Sequence, residues 1–183
     1  QKELDKQKKE IEQLKNIVNK EVKSLDMLEW LNLNEKREIN YSDWIKRNIK
    51  ITSKHMFLIF RHNYVDAVSE IISQINDISK NIVPIYCFDH KNKVVYIYEN
   101  KWIKSTISHI KLLYDEINLQ LLRLNIEYEK TLNENILYSR QHLENNEKLF
   151  LVEKKKKDAV QKKIKLELFN LFKISLNNLN KYK

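Results

Sequence analysis

The chain has 183 residues, no glycine, one proline (Pro84) and one cysteine (Cys87), with 42% apolar and 32% charged residues. That length suits one sizeable domain or a small domain with helical extensions, and the charged fraction is high for a compact globule but ordinary for long exposed helices. Without glycine, tight turns at positive φ and glycine-rich phosphate loops have no evident home, which sets aside a doubly wound nucleotide-binding fold. The chain opens on Gln1 rather than Met, so a fragment of something longer is expected. No apolar run approaches the roughly 18 to 20 residues a membrane span needs, and no signal peptide is visible. A single cysteine excludes an internal disulfide and suits a reducing compartment.

The formal net charge of +9 is unevenly spread. Residues 1–31 hold seven lysines and seven acidic residues, whereas 148–183 hold eleven lysines against three acidic residues, an excess of 11 − 3 = +8. A basic segment of that kind neutralises the phosphates of nucleic acid or an anionic membrane surface; the plainer reading is a solvated helix face.

Residues 1–31 read as a helix. Leu4, Ile11, Val18 and Leu25 recur every seven residues, and Gln7, Leu14, Glu21 and Leu28 fill the second seam position of a heptad. The alternative is one amphipathic helix packed on its own domain. Residues 32–40 are polar and break the pattern. A short helix then opens at Tyr41, with Ser42 as the predicted N-cap and Ile45 and Ile49 on its buried face, and Ser53 is the predicted cap of the next. From 54 to 79, apolar spacings of three and four predict one helix, or two broken near His62 and Asn63. The period then changes. Residues 82–88 and 94–98 are rich in β-branched and aromatic side chains around a five-residue loop, which predicts a β-hairpin with Pro84 at a strand start or edge and Trp102 packed against it.

The most regular pattern follows. Ile103, Ile107, Ile110, Tyr114, Ile117, Leu121, Leu124 and Tyr128 alternate four and three apart, the signature of a coiled-coil seam. The phase shifts by one residue to Leu132, Ile136 and Leu143, and a turn is expected within 133–146. Val160, Ile164, Leu168, Leu171, Phe172 and Leu179 mark a last amphipathic helix, expected to fold back on the 102–128 helix or to pair with a neighbouring subunit.

Chemistry leaves few traces. Cys87 and His90 form C-x-x-H, and His55 and His62 would have to complete a zinc set, but they lie seven apart on a predicted helix with no second close pair, so no metal site is expected and Cys87 reads as a small core residue. There is no G-x-S-x-G, H-E-x-x-H or Walker pattern, and the acidic residues sit at helix spacings that pair with Lys and Arg. Trp30, Trp44 and Trp102 read as core anchors. Tyr96 and Tyr98, with Lys91, Lys93 and Lys101, come closest to a base-stacking patch.

The runs Glu29-Trp30-Leu31-Asn32, Ile39-Asn40-Tyr41-Ser42-Asp43-Trp44-Ile45, Tyr64-Val65-Asp66-Ala67-Val68 and Val83-Pro84-Ile85-Tyr86-Cys87-Phe88-Asp89-His90-Lys91, followed by Val95-Tyr96-Ile97 and Lys101-Trp102, resemble a coiled-coil-associated domain of large DNA viruses of the mimivirus type. The resemblance covers about residues 28–124. That family carries arginine, histidine and arginine where this chain has Val83, Tyr86 and Asn92. It has no assigned activity, so the resemblance implies architecture, a viral origin and a preceding coiled coil, often with a zinc finger further upstream.

The expected fold is therefore α+β, mostly α. Its parts are a coiled-coil helix (1–31), a small α+β domain with one β-hairpin (32–102) and a long helical hairpin or coiled coil with a basic C-terminal helix (103–183). The expected function is a non-enzymatic, oligomerising assembly module of a large DNA virus protein. It would work as a dimer or trimer, or with a partner coiled-coil protein, in the infected-cell cytoplasm, viral factory or virion. Its seam would be Leu4, Ile11, Leu14, Val18, Leu25, Leu28, Ile107, Ile110, Tyr114, Ile117, Leu121 and Leu124. The alternative is a nucleic-acid-binding protein using Lys154, Lys155, Lys156, Lys157, Lys162, Lys163 and Lys165, without arginine forks to read sequence. No cofactor, metal or membrane partner is expected.

Overall fold

The computed structural model describes residues 7–8, 11–13, 27–77, 83–91, 93–150 and 154–175. Along the chain run α1 (Met27–Asn34), α2 (Tyr41–Asn48), α3 (Ser53–Arg61), α4 (Tyr64–Ser73) with a 3-10 turn Gln74–Asp77, β1 (Ile85–Phe88), β2 (Val95–Glu99), β3 (Lys101–Lys104), α5 (Ile107–Glu129), α6 (Glu134–Leu137), α7 (Arg140–Phe150), α8 (Lys154–Phe172) and β4 (Lys173–Ile174). The fold is mostly helical with one four-stranded sheet of order β3-β2-β1-β4. β1 pairs antiparallel with β2, and β2 antiparallel with β3. β4, entered directly from α8, lies parallel to β1 with Cys87 opposite Lys173. The expected hairpin is thus the centre of a larger sheet, and β3 straddles the expected boundary between 102 and 103.

The period of two in the hairpin places two kinds of side chain on two faces. Ile85, Cys87, Val95 and Ile97 enter the main core. Phe88, Tyr96 and Trp102 join Met27 and Leu31 of α1 in a second cluster on the other face, with Tyr86, Tyr98 and Trp30 packed around them. The Arg37 guanidinium lies 5.3 Å from the Trp102 ring centroid and 5.9 Å from that of Tyr86, and its Nε donates to Val83 O. Asn32 covers the edge of β3: its Oδ1 accepts from Trp102 N at 2.8 Å and its Nδ2 donates to Trp102 O at 3.1 Å. That satisfies backbone groups an edge strand would otherwise leave unpaired.

Helix starts differ in detail from expectation. Asn40, not Ser42, precedes α2. Ser42 sits inside the first turn, where its N–H and Oγ donate to the Glu99 carboxylate at 2.8 and 3.3 Å, so a residue from β2 caps the helix. Asn40 Oδ1 accepts from Asn100 N at 2.7 Å and Asn40 Nδ2 donates to Asn100 Oδ1. Asn100 makes the tight β2–β3 turn at φ 62° and Lys93 takes φ 56°, so asparagine and lysine fill left-handed positions in a chain without glycine. Thr52, not Ser53, caps α3 in a reciprocal capping box with His55. The break at His62–Asn63 holds, and Asn63 Oδ1 accepts from Asp66 N to start α4.

The main core joins α2, α3, α4, the inner sheet face, α5 and α8, together with Leu149 of α7, in one cluster. Residues on both sides of the expected 102/103 boundary share it. Ile110, Leu113, Tyr114, Ile117 and Leu121 of α5 are buried there, and α8 adds Val160, Ile164, Leu168, Phe169 and Phe172. α8 packs chiefly on α4 and also on α5, so the expected fold-back onto α5 is only part of its docking. Ile103, at the head of the expected helix, lies instead in β3. Because Ile117 is fully buried in this single-chain core, Ile117→Ala should lower unfolding free energy by about 2–5 kcal/mol. Urea denaturation followed by circular dichroism, with the m-value unchanged, checks this. A loss under about 1 kcal/mol would contradict the packing, being within what an exposed site shows.

Candidate functional site

The expected oligomer seam divides into three parts. Leu4, Leu14, Val18 and Leu25 lie outside the described residues. Ile11 is helical and half-exposed, while Leu28 packs against the aromatic cluster at the start of α1. On α5, Ile110, Tyr114, Ile117 and Leu121 are covered by this chain's own α2, α3 and α8, and Leu124 packs at the core's edge. That stripe is an internal seam, not a face open to a second chain. Ile107 stands apart at 80% exposed.

A different face of α5 is open. Leu119, Leu122 and Ile126 are 42%, 43% and 45% exposed, at spacings of three and four that align them on the solvent side. Leu119 and Leu122 share a shallow depression with Phe150 of α7 and Lys157 of α8. Leu143, seven residues before Phe150, is 55% exposed on the same helix. Nothing in the sequence marks these residues as outward-facing except that they fall between the members of the stronger seam.

α7 is tied to α5 through one carboxylate. Glu129 Oε1 accepts from His142 Nε2 at 3.0 Å, from Asn146 Nδ2 at 3.1 Å and from Asn125 Nδ2 at 3.1 Å. A carboxylate only accepts, so His142 carries its proton on Nε2 in this contact. Asn125 and His142 are buried, and Asn125 Nδ2 also donates to Asn146 Oδ1 at 3.2 Å. These pairings, 129 with 142 and 125 with 146, set the two helices antiparallel. Burial pushes the Glu129 pKa up, but hydrogen bonds from Asn146, His142 and Asn125 outweigh it and hold it below the usual carboxylate value. The three donors converge on one oxygen and so pin the two helices together.

The expected phosphate-binding lysines fall on α8. Lys154, Lys155 and Lys162 are exposed, and Lys157 and Lys165 are half-buried; none of these five has an ion-pair partner among the described residues. Lys163 is taken by Glu167 at 2.6 Å, which also accepts from Ser69 Oγ. Lys156 is exposed and has a partner of its own. Lys162 and Lys165 line a cleft of about 520 Å³ between α8 and the start of α5.

The other sequence candidates disperse. Cys87 is buried in the main core with Sγ 3.9 Å from Leu168 O, and burial pushes its thiol up to about 12. His55 is the capping side chain of α3. Among the described residues no three His, Cys, Asp or Glu side chains gather as metal ligands, and no helix is long and apolar enough to cross a membrane. Tyr96 is 2% exposed and Tyr98 packs edge-on against Trp102, so neither offers an open ring to a base. No family model, curated protein or solved structure matches the chain.

The Glu129 cluster sets a pH dependence. A carboxylate held below its ordinary pKa stabilises the fold fully above that value, near 4.3 in roughly unperturbed form, and the contribution is lost as pH falls through the lower folded value. Glu129→Gln should therefore be less stable than the native chain at neutral pH and lose less of its stability between about pH 5 and pH 3. Urea midpoints at several pH values check this; parallel pH profiles for the two proteins would refute the role given to Glu129.

Proposed function

We propose that this chain is a non-enzymatic assembly module of a large DNA virus protein, associating with a second copy of itself. The observation that supports it is the outward stripe Leu119, Leu122 and Ile126, continued by Phe150 and Leu143 on the antiparallel α7. Single exposed apolar residues are ordinary, but a stripe two helices wide excludes water only when something covers it. A second copy suits it because residues 1–31 balance seven lysines against seven acidic residues, so two copies brought together along their heptads carry no net repulsion. The resemblance to the coiled-coil-associated viral domain supports the same architecture, and the infected-cell cytoplasm, viral factory or virion as its place of action. Light scattering on the native chain should give a multiple of 22.3 kDa. Leu122→Asp with Ile126→Asp should shift that mass downward without loss of helicity, since both side chains reach solvent and a carboxylate there can stay hydrated. A native mass of one chain would sink the reading.

A second reading is favoured by Lys154, Lys155 and Lys162, exposed on α8 and without an ion-pair partner among the described residues: electrostatic, sequence-independent association with nucleic acid. Mobility-shift titrations with duplex DNA should show binding at low salt that weakens steeply as salt rises, and weaker binding after Lys154→Glu with Lys155→Glu. Absence of any shift at low salt would remove this reading.

A further inference from the structure

We propose that the cleft between α8 and the start of α5 binds a phosphate monoester of mononucleotide size, a site separate from both the apolar stripe and the diffuse charge of α8. Its volume of about 520 Å³ lies within the roughly 300–1,000 Å³ typical of small-molecule sites. Its walls divide by chemistry. Ile107 and Ile110 of α5 give one apolar side, and Ile107 is 80% exposed. Asp158, Gln161, Lys162 and Lys165 of α8 follow helical spacing, so they form one face that looks across at them.

Three observations select the ligand. First, Lys162 and Lys165 both line this space, and neither has an ion-pair partner among the described residues. Asp158 on the same face leaves the lining at 2 − 1 = +1, and a phosphate monoester brings negative charge with three acceptor oxygens that two lysines can share. Second, Ser105 lines the same cleft, and its Oγ, buried in the cleft wall, has no hydrogen-bond partner among the described residues and becomes a donor to an acceptor oxygen on a rotamer change. Third, Asp158 stands on the lysine face. It opposes a second phosphate group and accepts from hydroxyl or amino donors, as Gln161 also can. An anionic head, an apolar or planar body resting on Ile107 and Ile110, and hydroxyl or amino donors toward Asp158 together describe a nucleoside monophosphate better than an internal stretch of a strand, whose backbone is a row of phosphodiesters.

The test uses the full 183-residue chain, ¹⁵N-labelled and titrated with adenosine monophosphate, inorganic phosphate, and a single-stranded oligonucleotide lacking terminal phosphate. Adenosine monophosphate should give saturable amide shifts confined to 105–110 and 158–165, tighter than inorganic phosphate. Lys162→Ala with Lys165→Ala should weaken it by about tenfold or more, as expected when hydrogen bonds to a charged group are lost. Lys154→Ala with Lys155→Ala, on the same helix but outside the cleft, should leave it unchanged. Circular dichroism confirms that both double variants fold, as their partly or fully exposed side chains predict. No shift at millimolar nucleotide, equal weakening by both lysine pairs, or equally tight binding of the unphosphorylated oligonucleotide at the same amides would each overturn the proposal.

Discussion

The row Ile110, Leu113, Tyr114, Ile117 and Leu121 holds α5 at one rotation about its axis, and most of what the surface offers follows from that rotation. Each such side chain contributes about 1.5–3 kcal/mol when taken out of water, against about 0–1 kcal/mol for an exposed ion pair. Polar residues beside the row then fix α5 along its length. Gln120 donates to Ile49 O and accepts from Ile51 N, both at 2.8 Å, satisfying the α2–α3 connection. Asn118 accepts from the Tyr64 hydroxyl at 2.8 Å, and Asn125 reaches Glu129 and Asn146. Apolar burial sets rotation and these hydrogen bonds set translation, so Leu119, Leu122 and Ile126 are left on the outside and Ile107 at the rim of a cleft.

The sheet transmits the same order to the N-terminal side. Alternation in β1 and β2 sends aliphatic residues to the main core and aromatic ones to α1, where Trp102 Nε1 donates to Glu35 O at 2.6 Å. Arg37 lies near the Trp102 and Tyr86 rings, its charge partnered by Glu35 at 2.7 Å. α1 is therefore seated by packing on one face and by Asn32 at the sheet edge. The direction in which the chain enters the domain is set by these contacts.

How much of this was legible in the sequence depends on the range of the signal. The α5 repeat and the strand alternation are local periodicities, and they identified a long helix and a hairpin, while the spacings over 54–79 left one helix or two broken near His62 and Asn63 as alternatives. Periodicity says that a stripe is buried but not by which chain. The row Ile110 to Leu121 therefore read as an intermolecular seam until α2, α3 and α8 were seen to cover it. β3 and β4 span four and two residues, too short to show a period. The Glu99 cap of α2 and the Glu129–His142 contact join residues 57 and 13 positions apart, and no spacing rule reaches them. The cleft is hidden for a related reason. Lys162 and Lys165 looked like part of a uniform basic run, and only the fold separates them from Lys154 and Lys155 by placing Ile107, Ile110 and Ser105 opposite.

That separation bears on how one small chain can carry two modes of contact. Water exclusion over the Leu119–Ile126 stripe does not depend on ionic strength within the physiological range, whereas attraction of phosphates to α8 is screened over a Debye length of about 8 Å. Lys157 lies where the two meet, lining the depression that holds Leu119, Leu122 and Phe150. A chain covering the stripe would bring its own charges beside Lys157, raising or lowering the local potential according to their sign. The proposed apolar association and anion binding would thus be coupled through Lys157, and its neighbour Asp158 carries the same change in potential to the wall of the cleft at the start of α5. Lys157 and Lys162 are five residues apart on α8, about 7.5 Å at the helical rise and within one screening length.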